Sequence, residues 1–295
     1  MWKPKPLAEH EPISTQPEVT SSLLPGTEVS DLRHVIYLGD SEEADECYAR
    51  HYDDIYTNGI SVHDHAKEAQ LLKELVTPHL SRTSLRGCRV LDVGCGTGDT
   101  LQEFKLMGAE GLGIDVNPHL LQVARTKYPT LDFQEADMRS FEVSDEYDLA
   151  TCLFDPLCFC DNQEELNETF GRIGLALRPG GVAALQQKKP GPDSGCYHQR
   201  KTFDGYELAK YTESFNVPGS DPLTRYLDHW VSVQYFNPDG PDRQYVFRQL
   251  RKLTIFALSH FEEAATAAGL EIVDYVKTDE MPPLRRDTFV LKKPE

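Results

Sequence analysis

Residues 89–99 read RVLDVGCGTGD. Val90, Leu91 and Val93 are the apolar run of a strand buried on both faces, as the central strand of a parallel sheet is. Gly94, Gly96 and Gly98 follow. A turn at this place calls for positive φ and for a backbone that a ligand can approach more closely than a Cβ would allow. The helix expected after it, over 100–107, points its free N–H groups back at that ligand. Residues 111–115, GLGID, read as a second strand ending in a carboxylate, Asp115, at a distance suited to gripping a ribose.

The spelling of the turn separates two cofactor classes. The dinucleotide fingerprint G-x-G-x-x-G needs glycine at 99, where the chain has Asp99, and the third glycine arrives one residue early. Asp92 lies inside the strand, before the first glycine. The pattern Asp-x-Gly-x-Gly-x-Gly with the later Asp115 resembles the class I S-adenosylmethionine-dependent methyltransferases. That resemblance implies an α/β, Rossmann-like fold with a mainly parallel seven-stranded sheet and S-adenosylmethionine as cofactor. It puts Gly94, Cys95 and Gly96 beside the methionine part, Asp115 with Val116 at the ribose, and Asp137 with Met138 at the adenine. Tyr56, Asp92 and Leu153 complete the expected cofactor contacts.

A chain of 295 residues allows about two domains, or one α/β unit with insertions. Hydrophobic content of 39% and charged content of 26% suit a globular chain with a sizeable core. No stretch approaches the apolar run of about 20 residues that spans a bilayer. Prolines occupy the first twelve residues where a signal peptide has its apolar segment. Seven cysteines, an odd number falling mostly in expected strands, read as reduced thiols in a cytoplasmic protein. A net charge of -18 argues against nucleic acid as partner. No metal site is expected: His63 and His65 do not share a helical face, and Cys158 and Cys160 have no partner pair at ligand spacing.

Along the chain, residues 1–45 read as an arm, rich in Pro, Ser, Thr and Glu to about Val29, with 32–38 (LRHVIYL) apolar enough to dock on the body. The body is expected over 46–295. Residues 48–56, YARHYDDIY, read as a lid that sets phenols near a reacting centre, and 63–78 as an amphipathic helix. Further strands are expected at 131–135, 147–154, 182–187, 271–276 and 288–292, the last antiparallel, with helices at 164–177 and from a Ser259/Glu262 capping box to Gly269. From Lys188 to 257 the rhythm breaks. Loops and extended segments are expected there, then an antiparallel hairpin of 226–236 and 244–256 over the site, joined across Asn237–Gly240.

Read together and in order, YDDIY (from Tyr52), ADMRSF (Ala136), YDLATCLF (Tyr147), LRPGG (Leu177), TRYLDHW (Thr224) and LTIFALSHFEEAATAAGL (Leu253) resemble the N,N-dimethyltransferases of nucleotide-linked amino sugars in macrolide biosynthesis. The resemblance implies a small, polar, amine-bearing acceptor, with Tyr52 and a residue of the loop after the fourth strand near the amine. Where that family has a histidine in this loop the chain has Phe159, and Asp155 stands in place of a small hydroxyl residue. Amine methylation needs a group that holds the ammonium form and accepts its proton, and Tyr52, Asp155 and His229 are the candidates. Lys188, Lys189, Arg200, Lys201 and Arg243 are candidates for an anionic part of the acceptor. An O-methyltransferase and a non-catalytic cofactor-binding protein are the alternative functions, and a homodimer is an assembly open to the chain.

Overall fold

The computed structural model describes residues 35–39, 41–57, 64–143, 145–188, 195–216, 223–236, 242–277 and 286–295. The strands are β1 (Val35–Gly39), β2 (Arg89–Val93), β3 (Glu110–Asp115), β4 (Asp132–Glu135), β5 (Tyr147–Cys152), β6 (Leu177–Gln187), β7 (Gly195–Phe203), β8 (Tyr206–Phe215), β9 (Thr224–Tyr235), β10 (Arg243–Thr254), β11 (Glu271–Val276) and β12 (Asp287–Lys292). The helices are α1 (Glu42–Arg50), α2 (Tyr52–Tyr56), α3 (His65–Val76), α4 (Asp99–Leu106), α5 (Pro118–Lys127), α6 (Gln163–Ala176) and α7 (Leu258–Ala267).

The described strands form two sheets. The first runs β11-β12-β6-β5-β2-β3-β4. β4, β3, β2, β5 and β6 pair in parallel, and β12 enters antiparallel between β6 and β11. β2 lies inside the sheet between β5 and β3, and its Val90, Leu91, Asp92 and Val93 are all buried. Helices cover both faces, so there are two apolar clusters. One joins β5 and β6 to α6 and α7 through Phe170, Ile173, Phe261 and Phe289; the other joins β2 to α3 and α4 through Leu72, Val76, Leu101 and Phe104. β2 and β3 end at the same level, which puts the glycine turn and Asp115 side by side at the C-terminal edge, the binding edge of such sheets.

The second sheet runs β1-β10-β9-β8-β7. The expected hairpin is present as β9 and β10, paired from Arg243 with Tyr235 to Thr254 with Thr224. It is only part of the insertion: 195–215, expected as loops and extended segments, forms the β7–β8 hairpin, and β8 continues the sheet from β9. The turn of this hairpin is Asp204-Gly205, with Gly205 at φ +82°, the backbone geometry that pairs a twisted two-strand ribbon. The expected turn at 237–240 lies outside the described residues, as do 1–34, with most of the expected arm, and His63.

Residues 35–39, within the stretch expected to dock on the body, form β1 parallel to β10, and α1 starts at a Ser41 cap whose hydroxyl accepts the Ala44 N–H at 3.2 Å. One boundary differs from expectation. The last helix is capped at Ala257 rather than Ser259, because the His260 imidazole accepts the Ala257 N–H at 3.1 Å and closes the first turn from inside. Gly269 ends that helix at φ +68°, as its sequence implied.

Candidate active site

The glycine turn is wound by local constraint. Gly94 and Gly96 have φ of +72° and +55°, and a Cβ on Gly94 would lie 2.6 Å from Pro156 Cγ. The loop after β5 therefore rests on the turn itself. That loop is bent by two non-glycine residues with positive φ, Phe154 (65°) and Asp155 (76°), a costly conformation that surrounding contacts must hold. Arg286 holds it: its Nε donates to Asp155 Oδ1 at 2.8 Å, and its guanidinium lies over the Phe154 ring.

Asp115 is fixed by backbone donors, with Gly96 N–H on Oδ2 at 2.9 Å and Asn117 N–H on Oδ1 at 2.8 Å. Burial raises its pKa above the ordinary value, and the bonds from Asn117, Gly96 and Val116 counter part of that rise. The carboxylate is acceptor-only and turns to the cleft beside the glycine turn, the chemistry that a ribose hydroxyl needs. Asp92 lies beneath. Burial pushes its carboxyl up to about 7 against the Thr151 hydroxyl bond of 2.7 Å, and the charge of Asp115 adds to the rise.

Tyr52 closes the turn from above. A Cβ placed on Gly96 would stand 3.8 Å from the Tyr52 hydroxyl, ordinary contact distance, so about one carbon's width separates lid and turn there. Tyr52 stacks obliquely on Tyr56 and edge-on to Tyr48. Burial raises its pKa well above the ordinary phenol value, so it is un-ionised. α1 and α2 pack with β8, β9 and β10 in a third apolar cluster that contains Tyr48, Ile55, Leu208, Val231 and Phe247.

The inward residues of the second sheet are polar at this place, which sequence reasoning missed. Arg251 donates to the Tyr48 hydroxyl, and Tyr56 is hydrogen-bonded to both Tyr48 and Lys210. The Lys210 ammonium lies 4.3 Å from the centre of the Tyr56 ring. Burial lowers the Lys210 pKa, opposed by Tyr56. At Tyr56 burial works against ionisation, yet Arg251 and Lys210 outweigh it and bring the phenol down to about 8. His229, on the same face, bonds Thr212 through Nδ1 at 2.8 Å. Burial first, then the charges of Lys210, Arg251 and Lys188, depress its pKa to about 2, so the imidazole is neutral. The signal for Lys210 was its place in a period-two strand, on the same face as the buried Leu208.

Other expected residues fall differently. Asp155 is not a free acid, since Arg286 pairs with it. Asp137 is clasped by Arg139 through Nε at 2.9 Å and Nη2 at 2.6 Å, and Arg139 also reaches Glu165. Met138 packs against the first cluster, Leu153 is buried in the second, and Val116 is exposed beside Asp115. Of the expected anion-binding cations, Arg200 lies exposed 3.5 Å from Glu207, Arg243 lines a cavity shared with Glu43 and Glu46 of α1, and Lys189 falls outside the described residues. Phe159 is exposed at the end of the 3-10 turn Pro156–Phe159. All seven cysteines are free.

Strand order, glycine turn and the carboxylate at the end of β3 together define a Rossmann-like fold of the kind that binds nucleoside cofactors. The methyltransferase domain family matches residues 90–181. A putative methyltransferase of Geobacillus sp. (strain WCH70) is 31% identical over 70% of this chain and 84% of its own length. The dTDP-3-amino-3,6-dideoxy-alpha-D-glucopyranose N,N-dimethyltransferase of Streptomyces fradiae is 27% identical over 71% of this chain and 78% of its own. The crystal structure of Streptomyces venezuelae DesVI superposes with a TM-score of 0.70 at 25% identity, covering 84% of this chain and 98% of that one. The chain belongs to the S-adenosylmethionine-dependent methyltransferases. Its cradle fits that cofactor in its donor set: Asp115 is an acceptor carboxylate at the end of β3, and the turn presents bare backbone at Gly94 and Gly96, with Tyr52 closing over it.

Proposed function

We propose that the enzyme methylates the amine of a small, anionic, sugar-like acceptor, in the manner of the amino-sugar relatives it resembles. The observation that carries this reading is the roof of the site, where Lys210, Thr212, His229 and Arg251 occupy positions that an apolar acceptor would require to be apolar. Such a face suits hydroxyls and a phosphate or carboxylate. S-adenosylmethionine supplies an electrophilic methyl group, and the protein's part is to hold a neutral nitrogen in line with it and to exclude water.

The cations also act on the amine's proton. A primary ammonium entering beside Lys210, Arg251 and Arg286 is disfavoured by like charge, so the acceptor binds as the free base. Tyr52, un-ionised, and neutral His229 orient it by hydrogen bonds. The methylated ammonium product meets the same repulsion and gives up its proton to water. Asp155, neutralised by Arg286, assists this loss at most through the pair as a whole. Free thiols, five of them buried, support a reducing compartment, the cytoplasm. Among the described residues no helix is long and apolar enough to cross a membrane.

The test is the pH dependence of kcat with a dTDP-linked amino sugar. The rate should rise with pH through the bound amine's pKa, and Lys210→Met should move that rise to higher pH because one repelling cation is gone. A flat profile, or one that Lys210→Met leaves in place, contradicts the reading.

A further inference from the structure

Four consecutive residues at the start of α2 face three ways. His51 Nε2 lies 2.6 Å from the Tyr235 hydroxyl, and Asp54 accepts from the Tyr206 hydroxyl at 2.6 Å, so both hold the second sheet. Tyr52 faces Gly96. Asp53 turns to the first sheet: Thr97 Oγ1, inside the glycine turn, donates to Oδ1 at 2.7 Å, and Lys127 Nζ, at the end of α5, donates to Oδ2. Lys127 donates also to Asp99 Oδ1 at 2.7 Å, which takes the Tyr128 hydroxyl at 2.5 Å. Thus one ammonium bridges the lid to the first residue of α4.

We propose that Asp53 and Lys127 are positioning residues for methyl transfer: they register α2 against the glycine turn and so set the height of Tyr52 above Gly96. The assignment rests on the role given to Tyr52 above. α2 has five residues and no side-chain cap, so contacts with its neighbours, rather than its own helix, set its place. Asp53 and Asp99 are both partly buried carboxylates, and Lys127 is the cation between them. Burial and then the charge of Asp99 push the Asp53 pKa upward, whereas Asp99 is drawn down, against burial, by Lys127, Tyr128 and His65. Without Lys127 the two carboxylates repel across the seam, and the short helix is the part able to yield. An ångström of displacement at a reacting centre costs about 10²-fold in rate. An ordinary structural ion pair would instead affect folding and leave the catalytic constants in place.

The experiment compares Lys127→Met, Lys127→Arg, Asp53→Asn and Tyr52→Phe in two readouts. One is the release of labelled S-adenosylmethionine under chase, which needs no acceptor; the other is kcat and KM with the amino-sugar acceptor. Lys127→Met and Asp53→Asn are expected to speed release and lower kcat by about tenfold or more, and Lys127→Arg to restore most of both. The kcat losses of Lys127→Met and Tyr52→Phe should not multiply, because one acts through the other. Unchanged release, or losses that multiply in the double variant, overturns the proposal. If Tyr52→Phe alone leaves kcat intact, the reading of Tyr52 falls, and the release rates still decide whether Lys127 holds the lid.

Discussion

Asp115 offers the most direct perturbation of the cofactor cradle. Its Oδ2 takes the Gly96 N–H at 2.9 Å and its Oδ1 the Asn117 N–H at 2.8 Å, and the ribose assignment has the same carboxylate accept two hydroxyls. Charge-assisted hydrogen bonds contribute about 1.5–3 kcal/mol each, so Asp115→Ala should weaken S-adenosylmethionine binding by about 3–6 kcal/mol, roughly 10²- to 10⁴-fold. Asp115→Asn keeps one neutral acceptor and should lose about half of that free energy. Titration calorimetry against the cofactor and its demethylated product reads both. Because Asp115→Ala also strips the partner from the Gly96 amide, a second comparison isolates the ribose contact. A cofactor analogue lacking one ribose hydroxyl should bind the parent more weakly than the full cofactor does, yet bind Asp115→Ala equally well. If Asp115→Ala bound the cofactor within a factor of about three of the parent, well under the 1.5 kcal/mol expected of a single bond, the ribose assignment would be refuted.

Two further outcomes follow from the same turn. The folded pKa of Asp92, about 7, lies above its ordinary 3.8, so the native state binds this proton more tightly than the unfolded chain and loses stability as pH rises between those values. Asp92→Asn, which keeps an acceptor for Thr151, should therefore raise the melting temperature more at about pH 8 than at about pH 5, and equal gains would contradict the buried-charge account. Gly94→Ala should cost about 1–3 kcal/mol in denaturant unfolding, since its Cβ would lie 2.6 Å from Pro156 at a φ of +72°; a neutral result would mean that the loop after β5 yields freely.

The first sheet was legible because its signals are local: an apolar run, a glycine turn, an acid at a strand end, and a helix stop at each Gly or Pro cluster. β7 and β8 were legible in principle, since Asp204-Gly205 is a strong hairpin signal. The flanking strands hid it, because polar residues such as Lys210 and Thr212 face inward there and break the expected alternation. The pairing of Asp155 with Arg286 spans 131 residues of chain, and no local pattern encodes it. For that reason the sequence suggests an acid at the amine, whereas the structure has the Asp155–Arg286 ion pair, with Lys210 and Arg251 on the second sheet. The clasp of Asp137 by Arg139 was nearer at hand, two residues along the chain, but the same spacing also fits an exposed turn.

The central claim is that the methyl group goes to nitrogen on an anionic, sugar-like acceptor, and product analysis tests it most directly. Incubation with S-adenosylmethionine and dTDP-3-amino-3,6-dideoxy-α-D-glucopyranose, followed by mass spectrometry and NMR, locates the new bond. The account predicts N-methyl signals correlated to the sugar carbon that bears nitrogen, and no product from the analogue with hydroxyl at that carbon. Methyl on oxygen or carbon, or equal turnover of the hydroxyl analogue, would contradict it and leave only the S-adenosylmethionine-dependent fold.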